Sequence, residues 1–147
     1  MCGIVGLFLK DKKLEPKLGM MLSEMLVTMT DRGPDSSGIA IYGNDENNTG
    51  KITVQSDTPS EDFKGLEKEI NALTGIKVSI RTKSTHAVLE METASIPAVR
   101  KALNQIRPSL RIMSAGDTIE IYKEVGLPKD VAARFDVSSM SGTHGIG

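Results

Sequence analysis

Thr85-His-Ala-Val-Leu-Glu-Met-Glu92, followed by Thr93-Ala-Ser-Ile-Pro-Ala-Val-Arg-Lys-Ala-Leu-Asn-Gln-Ile106, is the stretch that decides how the middle of the chain folds. Its first part is an apolar-rich run bounded by the Lys83-Ser84 turn, as expected of a strand. Its second part places Ile96, Val99, Leu103 and Ile106 on one face of a helix. The same i, i+3, i+7, i+10 spacing occurs 33 residues earlier, at Phe63, Leu66, Ile70 and Leu73. That earlier helix opens at Thr58-Pro-Ser-Glu61, a capping box with proline at the first helical position. It lies between predicted strands at Lys51–Ser56 and Ile76–Arg81. The later helix leads to a strand near Leu110–Ser114, which Gly116-Asp117 turns back into Thr118–Lys123.

Two βαβ units in succession predict a ferredoxin-like split unit, βαββαβ, over 51–123. The polar, asparagine-rich stretch 44–50 is its entry linker. The chain is therefore expected to comprise 1–50, an inserted subdomain at 51–123, and a return at 124–147, an α+β protein. Outside the insertion, Gly3-Ile-Val-Gly-Leu-Phe-Leu9 reads as a short buried strand. Leu14, Leu18, Met21, Leu22, Met25, Leu26 and Met29 form one face of an amphipathic helix, with its methionines filling the core. Asp31-Arg-Gly-Pro-Asp-Ser-Ser-Gly38 breaks that helix, because the residue before a proline is pushed out of the helical region. A strand at Ile39–Tyr42 follows. Leu127–Phe135 is a proline-started helix, and Gly145-Ile-Gly147 reads as the start of a further strand, so that the chain resembles an N-terminal portion.

Composition removes several function classes. The 18 basic and 19 acidic residues give a net charge of −1, and only 3% of residues are aromatic, so neither a nucleic-acid groove nor a stacking platform is expected. No apolar run reaches the roughly 18–20 residues that span a membrane, and no leader pattern is present. One cysteine cannot form an intrachain disulfide, which favours a cytoplasmic setting.

That cysteine is Cys2, directly behind the initiator methionine. Removal of Met1 would leave one residue with both a thiol and a free α-amine. Their ordinary pKa values, about 8.5 and about 7.7–8.0, make proton transfer between them easy near neutral pH. The plain alternative is a small apolar residue at a chain start. His86 and His144 have no partner at metal-ligand spacing, so no metal and no cofactor are expected. Gly142-Thr-His-Gly-Ile-Gly147 lacks the lysine of a phosphate loop, and no serine lies in a nucleophile elbow.

Taken in order, Cys2-Gly-Ile-Val-Gly6, a helix of about four turns and Arg32-Gly-Pro-Asp-Ser-Ser-Gly38 before a strand resemble the start of class II glutamine amidotransferases. These are the cysteine branch of N-terminal-nucleophile (Ntn) hydrolases. Leu14-Glu-Pro-Lys-Leu-Gly-Met-Met-Leu22 and Asp31-Arg-Gly-Pro-Asp-Ser36 look like the glutamate-synthase-like amidotransferase subunit of N-methylglutamate synthase. The resemblance implies that the outer segments form part of an αββα sandwich and that Cys2 is the catalytic nucleophile and base. It also implies that Arg32 and Gly33 lie on the loop that lines the glutamine pocket, and that Asp35 holds this loop. Glutamine would be hydrolysed to glutamate, with ammonia delivered to a glutamate-synthase-like synthase subunit. The family's substrate-binding arginine and oxyanion hole would fall beyond Gly147, so the 147-residue chain alone is expected to be inactive. Two other readings compete: a non-catalytic partner- or ligand-binding module with a relic Ntn start, and an Ntn hydrolase acting on another amide.

Overall fold

Pro16 decides where the first long helix begins. Proline lacks an N–H and restricts the residue before it. The segment Lys12–Lys17 accordingly forms a 3-10 turn, opened by the Asp11 carboxylate, which accepts from the Lys13 amide at 3.0 Å. In the computed structural model, which describes residues 3–32, 35–43 and 48–147, regular helix runs over Leu18–Thr28 and not from Leu14. The elements in chain order are β1 (Gly6–Phe8), α1 (Leu18–Thr28), β2 (Ser36–Tyr42), β3 (Thr49–Gln55), α2 (Pro59–Asp62), α3 (Leu66–Thr74), β4 (Ser79–Lys83), β5 (His86–Glu92), α4 (Ile96–Ile106), β6 (Arg111–Gly116), β7 (Ile119–Val125), α5 (Pro128–Arg134) and β8 (His144–Ile146). They form an α+β fold in two units, Met1–Asn44 with Ile121–Gly147, and Asp45–Glu120.

The first unit is built on a sheet of order β1-β8-β2-β7. β8 is antiparallel to both neighbours, with Ile146 opposite Gly6 on one side and Ala40 on the other. Leu18, Leu22 and Leu26 recur at every fourth position, which keeps them on one side of α1, and all three are buried. The methionines expected in the core are less enclosed: Met21, Met25 and Met29 are half-buried and Met20 is exposed.

The glycine-rich run 142–147, which matches no ligand-binding motif, has a packing explanation. A β-carbon on Gly142 would lie 3.1 Å from Leu18 Cδ2, one on Gly145 2.8 Å from Leu22 Cδ2, and one on Gly147 2.6 Å from Leu26 Cδ2. Each glycine makes room for one leucine of the α1 stripe. The other side of this sheet is apolar and open: Phe8 is 67% exposed and Ile146 45%. There the His144 ring stacks on Tyr42 at 4.1 Å, with Phe8 tilted against it at 5.7 Å.

The second unit is a sheet of order β4-β5-β3-β6, antiparallel throughout. β3 and β4 are joined through α3 and enclose β5; β5 and β6 are joined through α4 and enclose β3. Two split βαβ units thus interleave. Alternation along the strands sends Ile52, Val54, Ala87, Leu89 and Met91 to one side, where they form a core with Leu66 and Ile70 of α3 and Val99 and Leu103 of α4. The strand 118–123, expected within 51–123 after the turn at Gly116-Asp117, runs as β7 and joins the first sheet, and the division between the units falls after Glu120.

Local details depart from the pattern. The helix expected to run on from Pro59 is broken: α2 ends at Asp62 with Phe63 as its cap, Gly65, with φ of +73°, caps the start of α3, and Leu73 is 52% exposed. Thr58 makes no side-chain cap to the helix amides. The turn before the helix is held instead by Ser56, whose hydroxyl accepts from the Thr58 amide at 2.8 Å and donates to the Asp62 carboxylate at 2.5 Å.

Ion pairs brace this unit. Glu120 is 8% exposed, and its Oε1 accepts from Lys51 Nζ at 2.8 Å and from Arg81 Nη2 at 3.0 Å. Hydrogen bonds to charged groups contribute roughly 1.5–3 kcal/mol, less for a side chain as exposed as Arg81. Glu120→Gln should therefore destabilise the protein by about 2 kcal/mol in urea unfolding. A double-mutant cycle should give Lys51 the larger coupling; equal or zero couplings would contradict this geometry.

The pair between Arg111 and Asp57 is exposed. Arg111 grips Asp57 at 2.6 and 2.9 Å, and this hydrogen bonding, followed by the guanidinium charge, holds the Asp57 carboxyl below the usual carboxylate range. The folded protein binds this proton less tightly than the unfolded chain. The pair's contribution is therefore complete above about pH 4 and is lost as pH falls through the lowered value. Arg111→Gln should bring the Asp57 titration midpoint back up in carboxyl-detected NMR, and an unchanged midpoint would refute the assignment.

Candidate active site

Strand direction brings the starts of β1 and β2 to one end of the first sheet. β1 and β2 both run antiparallel to β8, so their first residues share the end at which β8 finishes. Val5 and Gly147 exchange both backbone hydrogen bonds there, at 2.8 and 2.9 Å. Cys2 and Gly33 lie outside the described residues; Gly3, Arg32 and Asp35 lie within them.

Arg32 is exposed and closes a 3-10 turn, Thr30–Arg32, that follows α1 directly. The turn is tied down by its own backbone and hydroxyls. A helix end leaves carbonyls without partners, and here the Thr28 hydroxyl donates to Met25 O and the Thr30 hydroxyl to Val27 O, each at 2.6 Å. The Arg32 amide donates to Met29 O at 2.9 Å. Gly3 rests against this turn. A β-carbon added to Gly3 would lie 3.2 Å from Arg32 Cβ and would collide with the Met29 methyl. The residue that follows Cys2 and the arginine of the expected pocket loop are thus in contact, although 29 positions separate them in sequence.

Asp35 is exposed, and its carbonyl accepts from the Gly126 amide at 3.0 Å. Gly126 has φ of +135°, a conformation open to glycine and strained for other residues. The loop is held at its start by the end of α1 and at its finish by the residue after β7. Neither contact was foreseen: Met29 was read as one of several core methionines, and Gly126 was given no part.

The two histidines take no part in this arrangement. His86 is fully buried as the first residue of β5, with the Thr85 hydroxyl 3.1 Å from Nδ1, and His144 is the stacked ring on the open side of the first sheet. Among the described residues, no group of three or more His, Cys, Asp or Glu side chains converges as a metal site would require, and no helix is long and apolar enough to cross a membrane.

No protein-family model matches the chain. Over all of its 147 residues it is 60% identical to the glutamine amidotransferase-like protein GlxB of Rhizobium meliloti (strain 1021), covering 48% of that protein. It is 29% identical, over an alignment of 160 positions that takes in the whole chain and 50% of the relative, to a Methanothermobacter thermautotrophicus protein whose name also contains the words glutamine amidotransferase. The chain spans about half the length of the curated relatives it matches.

Proposed function

We propose that this protein is a class II glutamine amidotransferase whose nucleophile is Cys2, exposed by removal of Met1. The observation that carries the reading is the 60% identity, along the whole chain, to a protein named glutamine amidotransferase-like. The Cys2-Gly-Ile-Val-Gly6 start and the contact between Gly3 and the Arg32 turn support the more specific mechanism.

In that mechanism the Cys2 thiolate adds to the side-chain amide carbon of glutamine, and the C–N bond breaks as the α-ammonium gives its proton to the leaving nitrogen. Ammonia departs and a γ-glutamyl thioester remains. Water, relieved of a proton by the regenerated α-amine, cleaves the thioester to glutamate and free thiol. Splitting the hydrolysis in this way replaces one difficult step with two easier ones. Arg32 and Gly33 line the glutamine pocket, and Asp35 keeps their loop in register through its carbonyl. Ammonia passes to a glutamate-synthase-like synthase subunit, in the cytoplasm, where the thiol stays reduced.

The fold is read in the same terms. The first unit is part of an αββα Ntn sandwich, and its open apolar sheet side suits a second layer. The second unit, with its interleaved split βαβ pairs, is a ferredoxin-like insertion.

The test is the protein as its gene encodes it, incubated with glutamine. Intact-mass analysis should find Met1 absent, and glutamate and ammonia should form in equal amounts. A retained Met1, or a silent enzyme with a free N-terminal cysteine, would sink the proposal and favour a binding module with a relic start.

A further inference from the structure

We propose that the outer edge of β4 is a docking site for an extended, acidic segment of a partner protein, and that Glu67 holds the place of that segment when it is absent. β4 ends the second sheet, with β5 as its neighbour on the inner side. In an antiparallel pair the backbone groups of alternate residues point outward. Ile80 belongs to the outward set, because its amide donates not to β5 but to Glu67 Oε1, at 2.9 Å. Thr82, two residues on, turns its amide and carbonyl to the same side. The Glu67 carboxylate thus stands where the carbonyl of a further strand would accept. Beside it runs a groove of about 400 Å³, lined by Glu67, Lys68 and Asn71 of α3 and by Lys77 and Val78, which lead into β4. The loop that forms its far wall is fixed at the backbone. The Asn71 side-chain amide donates to Ile76 O at 3.3 Å, and the Thr74 hydroxyl accepts from the Ile76 amide at 3.1 Å and donates to Ile70 O at 2.7 Å. Glu67, by contrast, is a single exposed side chain on the first turn of α3, free to rotate away without disturbing either wall.

Charge selects the occupant. Lys68 and Lys77 line the groove, and Lys77 and Lys83 stand at the two ends of the strand. A second copy of β4 laid antiparallel along this edge fits badly. Centred on Ile80, it sets Lys77 opposite Lys83 of the copy; centred on Arg81, it sets the two Arg81 side chains opposite each other. Like charges directly opposite destabilise a strand pair, and cationic residues on an edge keep it from pairing with its own copies. Acidic side chains at the same positions turn each repulsion into an attraction. The apolar residues that alternate with them meet Val78 on the other side. Strand addition of this kind draws affinity from main-chain bonds and selectivity from alternate side chains.

The experiment is calorimetric titration of the protein as encoded by its gene with the peptide acetyl-Glu-Val-Thr-Val-Glu-Val-Thr-Val-Glu-amide, and with its counterpart carrying lysine for each glutamate. The acidic peptide should bind with a Kd below about 1 mM, and the lysine peptide at least about tenfold more weakly. Glu67→Ala clears the edge and should tighten acidic binding by about threefold to tenfold; Glu67→Gln, which keeps an acceptor but loses the charge, should tighten it less. Thr82→Pro removes an outward amide and leaves the bonds to β5 in place, so affinity should fall by about tenfold. If Thr82→Pro does not fold, amide exchange at Thr82 in the parent decides the same point, and it should slow when the acidic peptide is added. The proposal is overturned if Glu67→Ala fails to bind the acidic peptide at about 1 mM, or binds it no better than the parent does. Equal affinity for the two peptides, or a Thr82 amide that plays no part, overturns it as well. So does a Glu67→Ala protein that dimerises in light scattering, because the edge then belongs to a second copy of the chain.

Discussion

Replacing Cys2 by alanine should reduce glutamate release from glutamine by a factor on the order of 10⁴–10⁶, the scale seen when a nucleophile is deleted from a group of residues acting as a unit. A glutamine analogue with a diazoketone in place of the amide should label the parent protein at Cys2 and leave Cys2→Ala unlabelled. Cys2→Ser should fall nearly as far, because a hydroxyl at its ordinary pKa is a much weaker nucleophile than a thiol. Thiol and amine can be separated. A variant extended by one residue that is not removed keeps the thiol but converts the α-amine to an amide. It should remain alkylatable by iodoacetamide while losing about 10²–10⁴ in glutaminase rate, the usual worth of a positioned base. Labelling at a serine or lysine, or turnover surviving in Cys2→Ala, would show that the chemistry resides elsewhere.

That proposal was legible in the sequence because it rests on position and residue type alone: the single cysteine stands where methionine removal would expose it. The support around it was not. Met29 was one of several methionines at helical spacing, and periodicity cannot tell which of them meets Gly3. The tie between Asp35 and Gly126 is a backbone bond across 91 positions, and no side-chain pattern encodes it. The middle of the chain was more readable. Val99 and Leu103 are buried where the spacing put them, and the strands from 49 to 116 fall within a few residues of the predicted ones. Errors there came from local chemistry that outweighs period. Gly65 interrupts an otherwise continuous helical pattern, and the Thr58 hydroxyl bonds the Asp62 carboxylate instead of capping a helix amide. The fate of 118–123 could not be read at all: a strand after a tight turn is normally assigned to its hairpin neighbour, and here it pairs in the other sheet.

Gly19→Ala should be among the most damaging single-methyl additions in the molecule. Gly19 is the second residue of α1, and a β-carbon there would overlap Val137 O and lie 2.6 Å from Met140 O and 2.9 Å from Met140 N. These are backbone atoms of the 3-10 turn Val137–Ser139 and its flank, so no rotamer change can make room. The same approach satisfies an otherwise unpartnered helix-start donor, since the Gly19 amide donates to Met140 O at 2.9 Å. Alanine would gain about 1 kcal/mol in helix propensity. Against this stand an overpacking cost of about 1–3 kcal/mol or more and the loss of a backbone hydrogen bond worth about 1 kcal/mol. The net expectation is a loss of about 1–3 kcal/mol by those same magnitudes. A single unfolding midpoint is a poor gauge in a chain of two units, so the change is best located by amide exchange. Protection should fall at Leu22, Leu26 and Ile41 in the first unit and persist at Ile52 and Leu89 in the second. Unchanged protection at Leu22 would mean that α1 does not rest on the 137–140 backbone, and uniform loss across both units would mean that they unfold as one.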